Sequence, residues 1–180
     1  QALGRFQEAR AAFDEECRLA ISHSDEFTEM HCLVGEASVS MMLGELGDER
    51  QLDVAQHYLD RFARLLEQAG APSDSPPARA YLLVQSRVQL ARGKLAEARS
   101  GFERVIIERP HDMMNMDGYL GVSMTALAAN DAARAVEFAR RAMPLAVARQ
   151  GDLPYSYYVG SASLWLGRAL LRAGGRVERR

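Results

Sequence analysis

Lysine is almost missing from this chain of 180 residues: Lys94 is the only one, and arginine supplies the rest of the positive charge. The formal net charge is −2 and the pI about 6.1, so there is no basic face to hold a phosphate backbone, and nucleic-acid binding is excluded on electrostatic grounds. Cysteine is nearly as scarce. Cys17 and Cys32 are too few for the disulfide framework of a small secreted domain, and both read as reduced, buried, small apolar residues. No apolar run approaches the ~18 residues that a membrane span needs, and no signal peptide is visible. These absences point to a cytoplasmic chain with no membrane partner. Alternating strand patterns enriched in β-branched residues are also lacking. The chain opens at Gln1 rather than Met and is expected to be a piece of something longer.

The residue constellations of catalysis are absent too. No two of His23, His31, His57 and His111 stand four residues apart on one helix. Cys17, His31, Cys32 and His57 are spread over neighbouring helices, and adjacent ligands at 31 and 32 point to different helix faces. There is no glycine-rich phosphate loop and no nucleophile elbow. Glu15-Glu16 reads as a solvated face. The chain is therefore expected to be no enzyme and to hold no metal and no cofactor.

What is present is a globular composition, 48% hydrophobic and 26% charged, in a chain long enough to bury roughly two thirds of its unfolded surface. One pattern recurs along it: a turn residue, an apolar residue two on, an alanine five on, and a further apolar residue nine on. Gly4, Phe6, Ala9 and Phe13 form one copy; Gly93, Leu95, Ala98 and Phe102 form the clearest; Asn130, Ala132, Ala135 and Ala139 form a third. Gly174-Gly175-Arg176 starts another, and a divergent copy surrounds Leu52, Ala55 and Leu59. Glycine or asparagine suits the left-handed conformation that ends a helix. The alanine lets two helices cross closely, and the residue four positions later lies on the same face and fills the groove. Before these turns lie Val34-Gly35, Val122-Ser123 and Leu166-Gly167-x-x-Leu170, with Gly174 closing the last; Pro110 closes the third hairpin.

Leu166, Gly167, Leu170 and Gly174, together with Gly93, Leu95, Ala98, Phe102, Val105 and Pro110, resemble the tetratricopeptide repeat over nearly the whole chain. The resemblance implies an all-α fold, a right-handed superhelical solenoid of antiparallel helix hairpins, forming a single domain over 1–180. The repeating alanines 9, 55, 98 and 135 are spaced 46, 43 and 37 residues apart, against a standard of about 34. The extra length falls in an enlarged turn at 44–51, in a Pro/Ser/Gly linker at 70–77 and in longer helices. Such lengthened repeats are similar to those of bacterial regulators and multidomain signalling proteins. Helices are expected over 6–22, 26–46, 52–69, 77–92, 95–109, 113–129, 132–149 and 154–173. They pair as hairpins 26–69, 77–109 and 113–149, with partial hairpins at 1–22 and 154–173. Asp152 is the expected N-cap of the last helix, with Pro154 in its first turn, and Pro144 is expected to kink the helix around it.

In the tetratricopeptide family the first helix of each hairpin lines a concave surface. The family pattern then assigns inward positions to Glu29, Cys32, Glu36 and Val39, to Leu83, Arg87 and Leu90, to Asp117, Leu120, Met124 and Leu127, and to Leu164, Arg168, Leu171 and Arg172. Cys32, Glu36, Leu83, Leu120 and Met124 stand where chaperone-binding members carry a carboxylate clamp, so that activity is not expected. The resemblance instead implies an apolar groove with Glu29 and Glu36 toward one end and Arg168 and Arg172 toward the other, able to take a protein or peptide segment. Met113, Met114, Met116 and Met124, and the pair Met41-Met42, are adaptable fillers. Tyr155, Tyr157, Tyr158 and Trp165 form an aromatic cluster expected to pack against a neighbour. Two further readings stand beside the docking module: a ligand- or peptide-sensing domain of a larger transcription regulator or signalling kinase, and self-association through the terminal repeats.

Overall fold

A computed structural model describes residues 5–109, 112–152 and 156–174. Among them are eight α-helices and no strand: α1 Phe6–His23, α2 Glu26–Glu45, α3 Arg50–Gln68, α4 Pro76–Ala91, α5 Leu95–Val105, α6 Met113–Ala128, α7 Ala132–Gln150 and α8 Tyr157–Gly174. The protein is all-α. The chain divides into two compact units, Gln1–Gly93 and Lys94–Arg180, so the expected third hairpin contributes α4 to the first unit and α5 to the second.

In the first unit α2 is central, packed by α1, α3 and α4. It buries residues all round its circumference, Met30, Leu33, Ala37, Val39 and Met41 among them, as a helix with neighbours on several sides must. α3 instead buries one stripe, Leu52, Ala55, Leu59 and Phe62. Its inner residues join Ala37, Met41, Val84 and Val88 in one cluster. Local chemistry sets the helix starts. Asp25 accepts from Thr28 N at 3.1 Å, and Ser75 stands before Pro76 and accepts from Ala78 N at 3.4 Å, satisfying amide protons that no helical turn can reach.

Cys17 of α1 and Cys32 of α2 are joined by a disulfide, with their Cα atoms 5.3 Å apart. This corrects the reading of two reduced cysteines. Fifteen residues of separation say nothing about pairing until the α1–α2 turn brings the two helices side by side. Ser24, in the left-handed conformation at φ 55°, makes that turn.

In the second unit α6 is central, packed by α5, α7 and α8. Its neighbours meet it through small residues. Ala135, Ala139, Ala142 and Ala146 form the fully buried stripe of α7, and Ala162 and Ala169 that of α8. Met116 and Leu120 fill the space between them, flanked by Tyr158 and Trp165. Ser123 Oγ donates to the carbonyl of Ala135 at 2.9 Å, which fixes the close α6–α7 crossing at the alanine that the repeat pattern singles out. α7 runs through Pro144 to Gln150.

Most boundaries lie within about two residues of expectation, and two differ by more. α5 ends at Val105 and not at 109, because Ile106 leaves the helix with an extended backbone. The freed peptide groups then bind Asn115. Its Oδ1 accepts from Ile107 N at 2.9 Å, and its Nδ2 donates to Ile107 O at 2.8 Å and Arg109 O at 3.2 Å. Pro110 lies outside the described residues. α8 starts at Tyr157, where Ser156 Oγ accepts from Tyr158 N at 3.1 Å. Asp152 therefore does not cap it; that residue lies in the turn after Gly151. Pro154 and Tyr155 lie outside the described residues, as does the turn at 175–176.

Candidate functional site

The expected inward residues fall in both units, and each unit handles its own differently. In the first unit, Glu29 pairs with Arg61 at 2.5 Å and Arg87 pairs with Glu45 at 2.7 Å. Leu83 is half-buried. Cys32 is held in the disulfide. Glu36 and Val39 have no exposed surface, so their side chains belong to the core and not to a ligand face. The acidic end expected at Glu29 and Glu36 is thus answered locally by Arg61 and Arg10.

Glu36 is the most unusual group in this unit. Arg10 Nε of α1 stands 3.5 Å from Glu36 Oε2, while the Arg10 guanidinium also donates to Ser40 Oγ at 2.8 Å and Gln51 Oε1 at 2.9 Å. Neither carboxylate oxygen of Glu36 receives a well-formed hydrogen bond. Burial, reinforced by the negative charge of Asp14, pushes the Glu36 carboxyl up to about 7, against the opposing pull of Arg10 and the Tyr58 hydroxyl. Burial likewise raises the Tyr58 phenol, aided by Glu36 and Asp14. A buried carboxyl with one ion-pair partner and only a poorly placed hydroxyl beside it is costly to ionise.

In the second unit, Leu120 is buried in the core with Met116, Ala142 and Ala162, so it too faces inward to its own unit. Met124 is half-buried; Leu127 packs beside Ala126, Ala135 and Ala169. On α8, Leu164 and Leu171 are exposed. The Arg168 guanidinium lies over the Trp165 ring, 4.7 Å from its centroid, and Arg172 Nε donates to Asn130 Oδ1 at 3.1 Å. The arginine end of the expected groove is thus laid onto the unit's own surface. The aromatic cluster divides: Tyr158 packs inward under Arg149, while Tyr157 is exposed.

The second unit also holds an open cleft of about 450 Å³ that the sequence pattern did not indicate. Tyr119, Pro144 and Leu145 give it apolar walls from α6 and α7, and Glu108, Arg109 and Arg141 add charge from the loop after α5 and from α7. Asn115 also lines it, by pinning the 107–109 backbone against α6. Arg141 bonds to Glu137 at 2.7 Å and stacks on Phe138, its guanidinium 5.0 Å from the ring centroid, so its charge is oriented before any ligand arrives. No sequence signal marks this cleft. It depends on where α5 stops, and that is decided by Asn115 eight residues beyond Ile107.

No group of three or more histidine, cysteine, aspartate or glutamate side chains suited to a metal ion occurs among the described residues. No helix among them is long and apolar enough to cross a membrane. No family model matches the chain, and no curated protein or solved structure matches it either.

Proposed function

We propose that this protein is a protein- or peptide-binding module built from tetratricopeptide-like hairpins, and that the cleft between α6, α7 and the 106–109 loop is where a partner side chain is anchored. The observation that carries the reading is the combination at that cleft: an aromatic ring and two apolar side chains beside pre-oriented arginine, on a rigid pair of helices. Apolar anchors with a few placed charges are how helical surfaces hold short segments. The hairpin-repeat reading is supported by the Ser123–Ala135 contact at the α6–α7 crossing. It is supported also by the use of Phe13 against Gly35 and Phe102 against Gly121 at the two helix pairs that carry those motif positions.

The test is selection of peptides against the whole chain, followed by calorimetry with Tyr119→Ala and Leu145→Glu. Loss of about tenfold or more in affinity, with helicity retained, supports the site. Unchanged affinity in both folded variants removes it.

A second reading rests on the same cleft. Its volume of about 450 Å³ lies within the range of small-molecule sites, so a ligand-sensing domain of a larger regulator or kinase stands as the alternative. A thermal shift with a metabolite, abolished by Tyr119→Ala, would select this reading over peptide docking. The cytoplasmic placement expected from composition belongs to the proposal as well, and the Cys17–Cys32 bridge bears on it. Disulfides persist chiefly in oxidising compartments, so alkylation of the thiols in unfractionated cells decides the placement.

A further inference from the structure

One face of α8 is unlike any other helix surface of the second unit. Tyr157, Gly160, Leu164, Gly167, Leu171 and Gly174 recur at alternating steps of three and four residues, which places all six along one stripe. Tyr157, Leu164 and Leu171 are 71%, 51% and 78% exposed. A Cβ built on Gly160, Gly167 or Gly174 would meet nothing within 4 Å. The opposite side of the helix, Ala162 and Ala169, is fully buried, while no described residue covers this one.

Among the described residues nothing packs on the glycines of this stripe. Gly174 ends the helix, but Gly160 and Gly167 lie in its interior, where glycine weakens a helix relative to alanine. Elsewhere in this chain, helical glycines receive a large side chain from an adjacent helix: Phe13 on Gly35, Leu52 on Gly44, Phe102 on Gly121. The α8 stripe carries the same two components, large apolar residues and glycine notches, in strict alternation on one helix.

That alternation is self-complementary in one orientation. When two such helices lie parallel, equal positions meet, so leucine faces leucine and glycine faces glycine. When they lie antiparallel about a twofold axis between residues 165 and 166, Leu164 meets Gly167, Leu171 meets Gly160 and Tyr157 meets Gly174 of the other copy. Every large residue then enters a notch. The stripe itself is uncharged, and both cations of α8 are engaged beside it, Arg168 on Trp165 and Arg172 on Asn130.

We infer that this face is an interface between two copies of the chain, formed by antiparallel packing of α8 against α8 in that register. An 18-residue helix is about 27 Å long. One helix pair offers a small contact, and a weak association in the micromolar range is expected. It is independent of the cleft proposed above, which lies on α6 and α7.

Sedimentation equilibrium from about 1 to 300 µM, a range that brackets such an affinity, tests it. The mass is expected to rise from 19.9 kDa toward twice that value. The double variant Leu164→Glu/Leu171→Glu keeps its helicity, because both side chains are exposed, and loses association at least tenfold. Register is read by oxidation of single-cysteine additions. A mixture of Leu164→Cys and Gly167→Cys chains cross-links to a mixed dimer, while each alone does so far less. A monomer throughout that range overturns the inference. So does a dimer that survives the double variant, efficient cross-linking of Leu164→Cys to itself, or hydrogen-exchange evidence that another part of the same chain covers the stripe.

Discussion

The ring of Phe102 on α5 rests directly on the backbone of Gly121 on α6, in space that any β-carbon at 121 would occupy. Phe102 is buried and stands at a motif position, while Gly121 lies one residue before the Val122-Ser123 pair of the repeat pattern. The contact sets the α5–α6 approach. Gly118 extends it one turn earlier: its Cβ position lies 2.8 Å from Ile106 and 3.2 Å from the Phe102 carbonyl. Gly121→Ala is expected to force the ring out of its seat and to cost about 1–3 kcal/mol, the range for overpacked cores. Phe102→Ala is expected to cost about 3–5 kcal/mol through the cavity it leaves. Urea denaturation of both variants measures the two effects, and a neutral Gly121→Ala would refute the seat.

Glu36 makes stability depend on pH. Its carboxyl is raised from 4.5 to about 7 in the folded chain, so the folded state holds this proton more tightly than the unfolded state does. The contribution of this group is therefore fully present below about pH 4.5, declines as pH rises through the window to 7, and is flat above it. Glu36→Gln is expected to remove that slope and to stabilise the chain by about 3 kcal/mol at pH 8. Difference denaturation curves of wild type and variant between pH 4.5 and 8 isolate Glu36 from the histidines, which both chains share. A wild-type chain that gains stability relative to the variant as pH rises contradicts this assignment.

The Cys17–Cys32 bridge closes a loop of fifteen residues within the first unit. Reduction is expected to destabilise that unit by up to about 3 kcal/mol and to leave exchange protection of α6 and α7 unchanged. Amide exchange with and without reductant checks both halves. Loss of protection spread evenly over both units would show that they do not respond separately.

Asn115 holds the end of α5 through three hydrogen bonds to backbone groups of Ile107 and Arg109. Asn115→Ala leaves those groups unpartnered and is expected to cost about 1–3 kcal/mol. The first sign is loss of protection at the Ile107 amide. The same change is expected to weaken any ligand of the cleft more than it weakens the fold, because the 107–109 backbone forms one wall of it.

Much of the helical framework was legible without coordinates, for physical reasons that act locally. Gly93 and Asn130 take positive φ at the turns that close two helices. The spacing of Leu52, Ala55, Leu59 and Phe62 writes the buried stripe of α3 into the sequence. Phe13 and Phe102 were recognisable as groove-filling residues from their place after the motif alanine.

The sites were not legible to the same degree. Leu120 and Leu164 occupy the same kind of motif position, yet one is buried under α7 and α8 and the other is exposed; periodicity marks an apolar face but not what covers it. Glu29 and Glu36 looked alike as inward acids. Only the arrival of α1 made Glu36 a buried, hard-to-ionise carboxyl, while Glu29 met an arginine from α3. The cysteine pairing, the early end of α5 and the cleft behind it depend on atoms far apart in sequence. The chain by itself determined the eight helices of the described residues and roughly where each begins, because turn geometry and helical periodicity are properties of neighbouring residues. Tertiary structure alone decided which of their faces became core, bridge, cleft or open stripe, because burial and pairing exist only once distant segments share the same space.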